Sequence, residues 1–463
     1  MNVLRTHRFF AFAVALLVWS GVRARAAETN SLVWRADRNQ VSADIHGETL
    51  WPLLEDLAHQ TGWRIFVEPG ASHTASVKFQ NLPAGEALSK LLGTLNYAMV
   101  PQTNGSQQLY VFKTTMNNAT QRVTAPTKVT PMRHVANQLL VKLKPGADID
   151  ALAKARGAKV VSRNDKLGIY LLEFSDANAT DAALASLKSA PEVAAVDYNY
   201  LFEAPAAPQP LASAPANAGP VSLSLNPNTA TDPCTPIVGL IDMGTQSLGS
   251  QLDPFMMKGV NVTGDTTTLS ATTPTHGTAM AETILRAIAQ QGASSSVRIL
   301  PVDVYGNSET ATSWNVALGV QAAVDGGATV LNMSLAGSTD AGVLNDIIQQ
   351  AIAKGVVVFA AAGNQPVNTP NYPAALPGVN AVTALGAPGQ LASYANYGSF
   401  VGMALPGNSL VYLDNQPWMV QGTSPATAFA TGVAAGTKAN NCLPWAQIQA
   451  AMQKKFPVPP PGN

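Results

Sequence analysis

Five short apolar runs, separated by Ala-rich stretches, occupy the C-terminal half of this 463-residue chain. The runs cover residues 237–241, 297–302, 329–333, 356–360 and 381–384. Near-continuous apolar strands of this kind are typical of a parallel sheet that is covered on both faces. Helices are predicted between and after them, at 277–290, 313–325, 341–354 and 424–438. The pattern therefore predicts an α/β fold with a doubly wound parallel sheet.

The amino terminus has the layout of a secretory signal peptide. Arg5 and Arg8 precede an apolar run at 9–19, and the small-residue segment 24–26 follows it, so residues 1–26 are predicted to be removed. A membrane anchor is the alternative, but an anchor requires roughly 20 apolar residues and this run is shorter. We therefore expect an exported protein, located in the periplasm or cell envelope or outside the cell.

The composition describes a compact globular protein of two or three domains. Basic and acidic residues number 28 each, hydrophobic residues make up 46% and charged residues 12%, which argues against both a disordered chain and a nucleic-acid-binding one. The two cysteines, Cys234 and Cys442, are expected to form a disulfide in an exported chain. Two unpaired buried thiols are the alternative, because spacing does not show whether the Cα atoms come close enough to bridge.

Residues 31–114 alternate short β-like runs with helical stretches at 50–61 and 84–92, which predicts a small α+β module. Its apolar spacing, in VSADIHGETLWPLLEDLAHQTGWRIFVEPG and VKFQNLPAGEALSKLLGTLNYAMV, resembles the short N-terminal module of secretins and TonB-dependent receptors. The resemblance implies a docking role towards a cell-envelope partner, and an unrelated spacer is the alternative. Residues 115–135, rich in Thr, Asn and Pro, are predicted to be a linker.

Residues 136–204 follow the order strand, helix, two strands, helix, strand, which predicts a ferredoxin-like α+β sandwich. The run LLVKLKPGADIDALAKARGAKV, with PEVAAVDYNYLFEA downstream, resembles the inhibitory propeptide of subtilisin-type proteases. The resemblance implies an intramolecular inhibitor whose last strand leads into the active site. Residues 205–220 form an Ala, Pro and Ser-rich linker, which we expect to be exposed and cut after a small residue such as Ala204. Residues 221–463 then remain as the peptidase domain.

A single histidine, His276, lies beyond residue 134, so a serine nucleophile in this half of the chain has one candidate general base. Asp242 ends the first apolar run, where open α/β sheets place their sites, and its carboxylate can orient the imidazole. Ser424 opens a helix of small residues, whose N-terminus offers free N–H groups to an oxyanion. Asn364 can add a side-chain amide to that oxyanion site. A structural histidine and a turn asparagine are the alternatives.

These positions lie in segments that resemble the successive motifs of the subtilisin family: VGLIDMGTQ, HGTAMAETI, VLNMSLAG, VFAAAGNQP and QGTSPATAFATGVAA. The resemblance implies that Asp242, His276 and Ser424 form a catalytic triad and that Asn364 binds the oxyanion. It also implies that substrates lie along one short segment and that a second segment helps to wall the specificity pocket. The residues of these two segments are Ser334, Leu335, Ala336 and Gly337, and Ala361, Ala362 and Gly363.

We expect an exported serine endopeptidase of the subtilase type, made as an autoprocessed zymogen that acts on protein or peptide substrates. An envelope-binding protein with a vestigial protease domain is one alternative. An esterase is another, although the Ser, Asp, His order and the G-x-S-x-G motif common in such hydrolases do not occur at Ser424.

No cofactor is expected. The segment that follows the His276 helix lacks the Asn and Asp that bind calcium in many family members, so any calcium site would lie elsewhere. The methyl group of Ala336, where many family members have Gly, narrows the specificity pocket. It predicts a preference for small or medium apolar side chains immediately before the scissile bond.

Overall fold

The computed structural model describes residues 31–35, 40–68, 71–101, 107–123, 132–211, 223–228, 234–386 and 389–459. The predicted signal peptide and parts of both predicted linkers lie outside these residues. The chain divides into two compact units, Met1–Ala125 and Pro126–Asn463. Within the described ranges, no helix is long and apolar enough to cross a membrane.

The first unit contains the predicted small α+β module, has a hydrophobic core of its own, and extends beyond residue 114 into the predicted linker, where strand Gln121–Val123 pairs with strand Arg64–Val67. Its elements are β1 (Ser31–Arg35), β2 (Gln40–Thr49), α1 (Leu50–Thr61), β3 (Arg64–Val67), β4 (Thr74–Leu82), α2 (Ala84–Leu92), β5 (Asn96–Pro101), β6 (Gln107–Phe112) and β7 (Gln121–Val123). They form two sheets, with strand orders β1-β2-β4 and β5-β6-β3-β7. Leu53, Leu54 and Leu57 of α1 are buried with Leu88 and Leu91 of α2, because their spacing puts them on the inward faces of the two helices.

The second unit begins with a four-stranded sandwich, called here the sandwich domain. Its elements are β8 (His134–Leu143), α3 (Ile149–Ala155), β9 (Lys159–Asn164), β10 (Ile169–Glu173), α4 (Ala177–Leu187) and β11 (Val193–Glu203). The strands follow the order β11-β8-β10-β9, and all pairs are antiparallel. Asp148 and Asp176 cap α3 and α4 with their side chains, which explains where both helices begin. The predicted ferredoxin-like order is confirmed.

The remainder of the second unit, called here the large domain, is a doubly wound α/β structure. Its elements are β12 (Gln209–Pro210), β13 (Asn226–Pro227), β14 (Ile237–Asp242), β15 (Val260–Asn261), α5 (His276–Ala289), β16 (Ser294–Ser295), β17 (Arg298–Asp303), β18 (Thr310–Thr312), α6 (Ser313–Asp325), β19 (Val330–Met333), α7 (Gly342–Ala353), β20 (Val357–Ala361), β21 (Val379–Leu385), β22 (Met403–Pro406), β23 (Asn408–Leu413), β24 (Gln416–Gln421), α8 (Thr423–Asn441) and α9 (Trp445–Lys455). Seven parallel strands follow the order β15-β17-β14-β19-β20-β21-β22. The predicted fold class is confirmed.

Two hydrophobic cores lie on opposite faces of this sheet. One contains the apolar residues of α5, α8 and α9, and the other contains those of α6 and α7. The second core continues into the sandwich domain, where it includes Leu140, Ile169, Leu171 and Phe202. The two domains of this unit therefore share one core.

Cys234 and Cys442 form a disulfide with 5.3 Å between their Cα atoms. Cys234 lies just before β14, and Cys442 follows the last residue of α8. The disulfide therefore links the start of the strand that ends at Asp242 to the end of the helix that carries Ser424.

Candidate active site

Asp242 and His276 form a buried pair at the carboxyl edge of the parallel sheet. Asp242 is the last residue of β14, and His276 is the first residue of α5. His276 Nδ1 donates to Asp242 Oδ1 at 2.8 Å and lies 3.0 Å from Oδ2. The two side chains are 2% and 1% exposed, so the carboxylate acts on the ring with little screening by water. In the neutral ring, a proton on Nδ1 in this hydrogen bond leaves the Nε2 lone pair available to accept a proton.

A hydrogen-bond network fixes the turn after Asp242 against the start of α5. The hydroxyl group of Thr275 caps α5. Its oxygen accepts from Thr278 N, and its O–H donates to Gly244 O at 2.6 Å. The Gln246 side chain accepts from Thr275 N at 2.8 Å and donates to Thr273 O at 2.7 Å. The network holds the two segments that carry the acid and the base in one relative position.

Ser424 lies in the first turn of α8, after Gly422 and Thr423. It is 5% exposed, and its hydroxyl donates to Ser334 O at 3.4 Å. Among the hydrogen bonds of the described residues, Ser424 Oγ thus bonds to Ser334 and not to His276. Catalytic hydrogen bonds often become short only when substrate is bound. The helix N-terminus meanwhile directs N–H groups and a positive dipole end towards the site.

Asn364 is held in place by Thr423. Its Oδ1 accepts from Thr423 N at 2.9 Å and from Thr423 Oγ1 at 3.0 Å. Thr423 Oγ1 in turn accepts from Gly363 N at 3.1 Å. Because the amide oxygen is occupied, the amide nitrogen is the part of Asn364 that remains to donate to a developing oxyanion beside Ser424.

The predicted substrate segments lie together beside Ser424. They line a cleft of about 500 Å³. The predicted residues on its wall are Ser334, Leu335, Ala336, Gly337, Ala361 and Gly363, with Asn364. Ala362 is fully buried and donates its N–H to Val382 O, so it supports the wall from behind.

Two buried asparagines, Asn371 and Asn396, also line the cleft and were not identified from the sequence. A β-carbon on Gly363 would lie 2.6 Å from Asn396 Nδ2 and 3.2 Å from Asn371 Nδ2. Asn396 Oδ1 accepts from Gln365 N at 2.8 Å, whereas its Nδ2 has no partner. Their signal in the sequence is weak, because a lone asparagine outside a motif is most often a turn residue.

The segment 204–211, called here the cleft segment, passes through this site. Upstream of it, β11 pairs antiparallel with β18, and Ala204 N donates to Glu309 O at 2.7 Å. Ala204, Pro205 and Ala206 line the same cleft as Ser424. Downstream, β12 pairs antiparallel with β24. The large domain therefore pairs with the chain both before and after the three residues that line the cleft.

The sandwich domain also caps two helices of the large domain. Asn199 Oδ1 accepts from Trp314 N at 3.1 Å in the first turn of α6, and Asp197 Oδ2 accepts from Val343 N at 2.7 Å in the first turn of α7. Burial raises the pKa of Asp197 above its ordinary value, and the carboxylate of Asp340 adds to the shift. These hydrogen bonds, the pairing of β11 with β18 and the shared core hold the sandwich domain against the large domain, directly upstream of the cleft segment.

Tyr305 is the titratable neighbour of the acid–base pair. Burial raises the pKa of its phenol, and the Asp242 carboxylate raises it further, so the ring stays neutral and adds no charge to the site. In the parts of the chain that the structure describes, no three His, Cys, Asp or Glu side chains gather into a group that could hold a metal ion.

Comparison with known families matches two segments of the chain. Residues 235–457 match the subtilase family, and residues 120–199 match the fervidolysin N-terminal prodomain. The first match contains all four predicted catalytic positions. The second covers most of the sandwich domain.

Curated relatives include a thermophilic serine proteinase from Bacillus sp. strain AK1. It is 30% identical over 319 residues, which span 65% of this chain and 78% of the relative. Thermitase from Thermoactinomyces vulgaris is 36% identical over 164 residues, 35% of this chain and 58% of thermitase. Among solved structures, fervidolysin from Fervidobacterium pennivorans has a TM-score of 0.53 and 18% identity, covering 70% of this chain and 59% of that one. At that identity the likeness shows the fold alone.

Proposed function

We propose specific roles for the residues of this site, from the premise that the chain belongs to the subtilase family and is a serine endopeptidase made as a zymogen. The observation that carries the proposal is the buried His276–Asp242 pair at 2.8 Å at the end of β14, with Ser424 hydrogen-bonded to Ser334 just after the neighbouring strand β19. An envelope-binding protein with a vestigial protease domain is not favoured, because every group that the hydrolysis requires is present.

In the proposed mechanism, Ser424 Oγ attacks the scissile carbonyl while His276 Nε2 takes its proton. The Asp242 carboxylate stabilises the imidazolium that forms. The amide of Asn364 and the N–H of Ser424 donate to the oxyanion. His276 then protonates the leaving amine as the C–N bond breaks. Water, deprotonated by His276, attacks the acyl-enzyme, and the ester C–O bond breaks to release the acid and Ser424 with its proton restored.

The substitution Ser424→Ala tests this assignment. The variant keeps the fold but lacks the nucleophile, so we expect it to accumulate as the uncut precursor and to release no peptides from casein. Ser189→Ala changes an exposed serine on the sandwich domain and serves as the matched control, with normal processing. Equal processing of both variants would contradict the proposed role of Ser424.

We further propose that residues 136–204 inhibit the enzyme until the cleft segment is cut. Three bonds in this segment have proline as the leaving amine: Ala204–Pro205, Ala207–Pro208 and Gln209–Pro210. Three others have proline as the acyl group: Pro205–Ala206, Pro208–Gln209 and Pro210–Leu211. Ala206–Ala207 is an ordinary amide that follows the last segment residue lining the cleft with Ser424. It is the bond we assign to the first cut.

The N-terminal module and the location of the protein stay proposals. We propose that residues 1–26 direct export and that the module at 31–114 binds a cell-envelope partner, as its resemblance to secretin and TonB-receptor modules implies. Amino-terminal sequencing of the protein from periplasm, envelope and medium tests the export signal, the location and the assigned bond. An N-terminus at Ala207 supports the assignment, whereas one upstream of Ala27 contradicts the signal peptide.

A further inference from the structure

Strand β24 leads directly to the catalytic serine. It ends at Gln421, three residues before Ser424, and α8 begins in between. One edge of β24 pairs with β23 over its whole length. Its other edge can pair with a further strand, and that edge ends at Gln421, shortly before Ser424.

The cleft segment occupies this second edge. Gln209 pairs with Met419 and Pro210 with Trp418, in the antiparallel sense. Leu211 N then donates to Pro417 O at 3.1 Å. Because the pairing is antiparallel, the chain moves away from Ser424 along β24 as it leaves the cleft.

This pairing uses the backbone and very little of the side chains. Within the described part of the linker, 205–211, Pro208 is the one buried residue. Gln209, Pro210 and Leu211 are exposed. Main-chain hydrogen bonds supply affinity in strand addition, and pockets for single side chains supply selectivity. This edge therefore suits an extended chain of almost any sequence.

We propose that the outer edge of β24 binds the part of a substrate that follows the scissile bond, once the cut has made residues 207–211 the amino terminus of the enzyme and they have left this edge. The third to fifth residues after the bond add to the sheet as a strand, in the register that Gln209 to Leu211 occupy now. The inference rests on the proposed function, because it takes Ala206–Ala207 as the bond cut at Ser424. An edge left without a partner would otherwise expose its backbone groups.

The substrate class follows from this geometry. A preferred substrate is an unfolded or extended polypeptide with at least five residues beyond the bond, not a short peptide. It needs a free N–H at the fifth of those residues, where Leu211 donates to Pro417. It also needs a compact side chain at the second, where Pro208 is buried. The third to fifth side chains point to solvent and are not selected.

Two amidated peptides test the proposal on the processed protein: the linker sequence 201–213 and its truncated form 201–208. Both contain the Ala206–Ala207 bond and everything upstream of it. We expect kcat/KM for the longer peptide to be higher by about tenfold or more, the scale of one or two hydrogen bonds. N-methylation of Leu211 in the longer peptide should remove most of that gain.

A matched control uses position 210, where proline already lacks an N–H. Two versions of the longer peptide, with alanine or with N-methylalanine in place of Pro210, should be cleaved equally fast. Equal kcat/KM for the long and short peptides, both cut at Ala206–Ala207, would overturn the strand-addition site and leave the proposed function intact. If neither peptide were cut, the assigned bond and this inference would fail together.

Discussion

Gly277 lies against the backbone of Met243: a β-carbon on Gly277 would be 2.1 Å from the Met243 carbonyl oxygen. These two residues directly follow His276 and Asp242 in the chain. The contact therefore sets how closely the helix that carries the base approaches the strand that carries the acid. A side chain at position 277 has no room unless the backbone of one segment moves.

Gly277→Ala should lower kcat/KM by about 100-fold, because a displacement of about 1 Å between reacting groups has an effect of this size. The measurement is casein hydrolysis by equal amounts of folded protein. Gly292→Ala is the matched control, since its β-carbon would meet no heavy atom closer than 3.8 Å. Full activity in Gly277→Ala would show that the Asp242–His276 distance does not depend on this contact.

Thr423→Val should lower kcat by about tenfold with little change in KM. The substitution removes the hydroxyl that donates to Asn364 Oδ1 and accepts from Gly363 N, so the oxyanion donor loses its support. Thr423→Ser keeps the hydroxyl and should retain most of the activity. If both variants behaved alike, the methyl group and not the hydroxyl would be the important part of Thr423.

The stability of the precursor should depend on the ionisation of Asp197. Its pKa is raised above 3.8 by burial, so the folded precursor binds more protons here than the unfolded chain does. The contribution of Asp197 to the free energy of unfolding is therefore greatest below pH 3.8 and falls as pH rises through the raised pKa. Asn at this position still accepts from Val343 N but does not titrate.

This pH effect can be isolated in a Ser424→Ala background, where the precursor stays uncut. The free energy of unfolding is measured for the parent and for Asp197→Asn. The value for the variant minus the value for the parent should increase as pH rises. A shift in favour of the parent would mean that the hydrogen bond to Val343 outweighs burial, with the pKa lowered instead.

Replacing both Cys234 and Cys442 by Ser should lower the free energy of unfolding by about 5 kcal/mol in the chain-entropy treatment of a long loop. The two cysteines are 208 residues apart in sequence, and the loop between them contains all four proposed catalytic residues. Urea unfolding of the Ser424→Ala precursor measures the change, with the same protein under reducing conditions as the comparison. Equal urea midpoints for the parent with its disulfide intact and for the variant with both cysteines replaced would contradict the expected stabilisation.

Ala336→Gly should widen the specificity pocket. Ala336 is half-buried on the cleft wall, and removal of its methyl group makes room for a larger side chain before the scissile bond. We expect the ratio of kcat/KM for Phe over Ala at that position to rise by about tenfold, within the range for one methylene in a pocket. A parent enzyme that already cuts fastest after Phe or Tyr would contradict the predicted preference.

The sheet and the strand ends that carry the site could be predicted because their residues are continuously buried. The run predicted at 237–241 is β14, which ends at Asp242, and the helix predicted at 313–325 coincides with α6. Burial on both faces leaves an apolar run that is visible in a single sequence.

The pairings that hold the cleft segment could not be predicted. Strand β18 has three residues and no apolar period, and its partner β11 belongs to another domain. Strand β12 contains Pro210, and a proline argues against a strand when only the neighbouring residues in the sequence are considered. Asn371 and Asn396 likewise become neighbours of Gly363 only through the tertiary fold.

The position of the cleft segment links two properties of the enzyme, its cleavage preference and its self-activation. Since the same wall residues contact Ala204 to Ala206 now and a foreign polypeptide later, a library selected for a new cleavage preference is also screened for self-activation. Variants with a strongly altered preference would fail to cut their own cleft segment. They would remain inactive precursors and would not act on the target. Randomising the cleft segment together with the wall removes that bias.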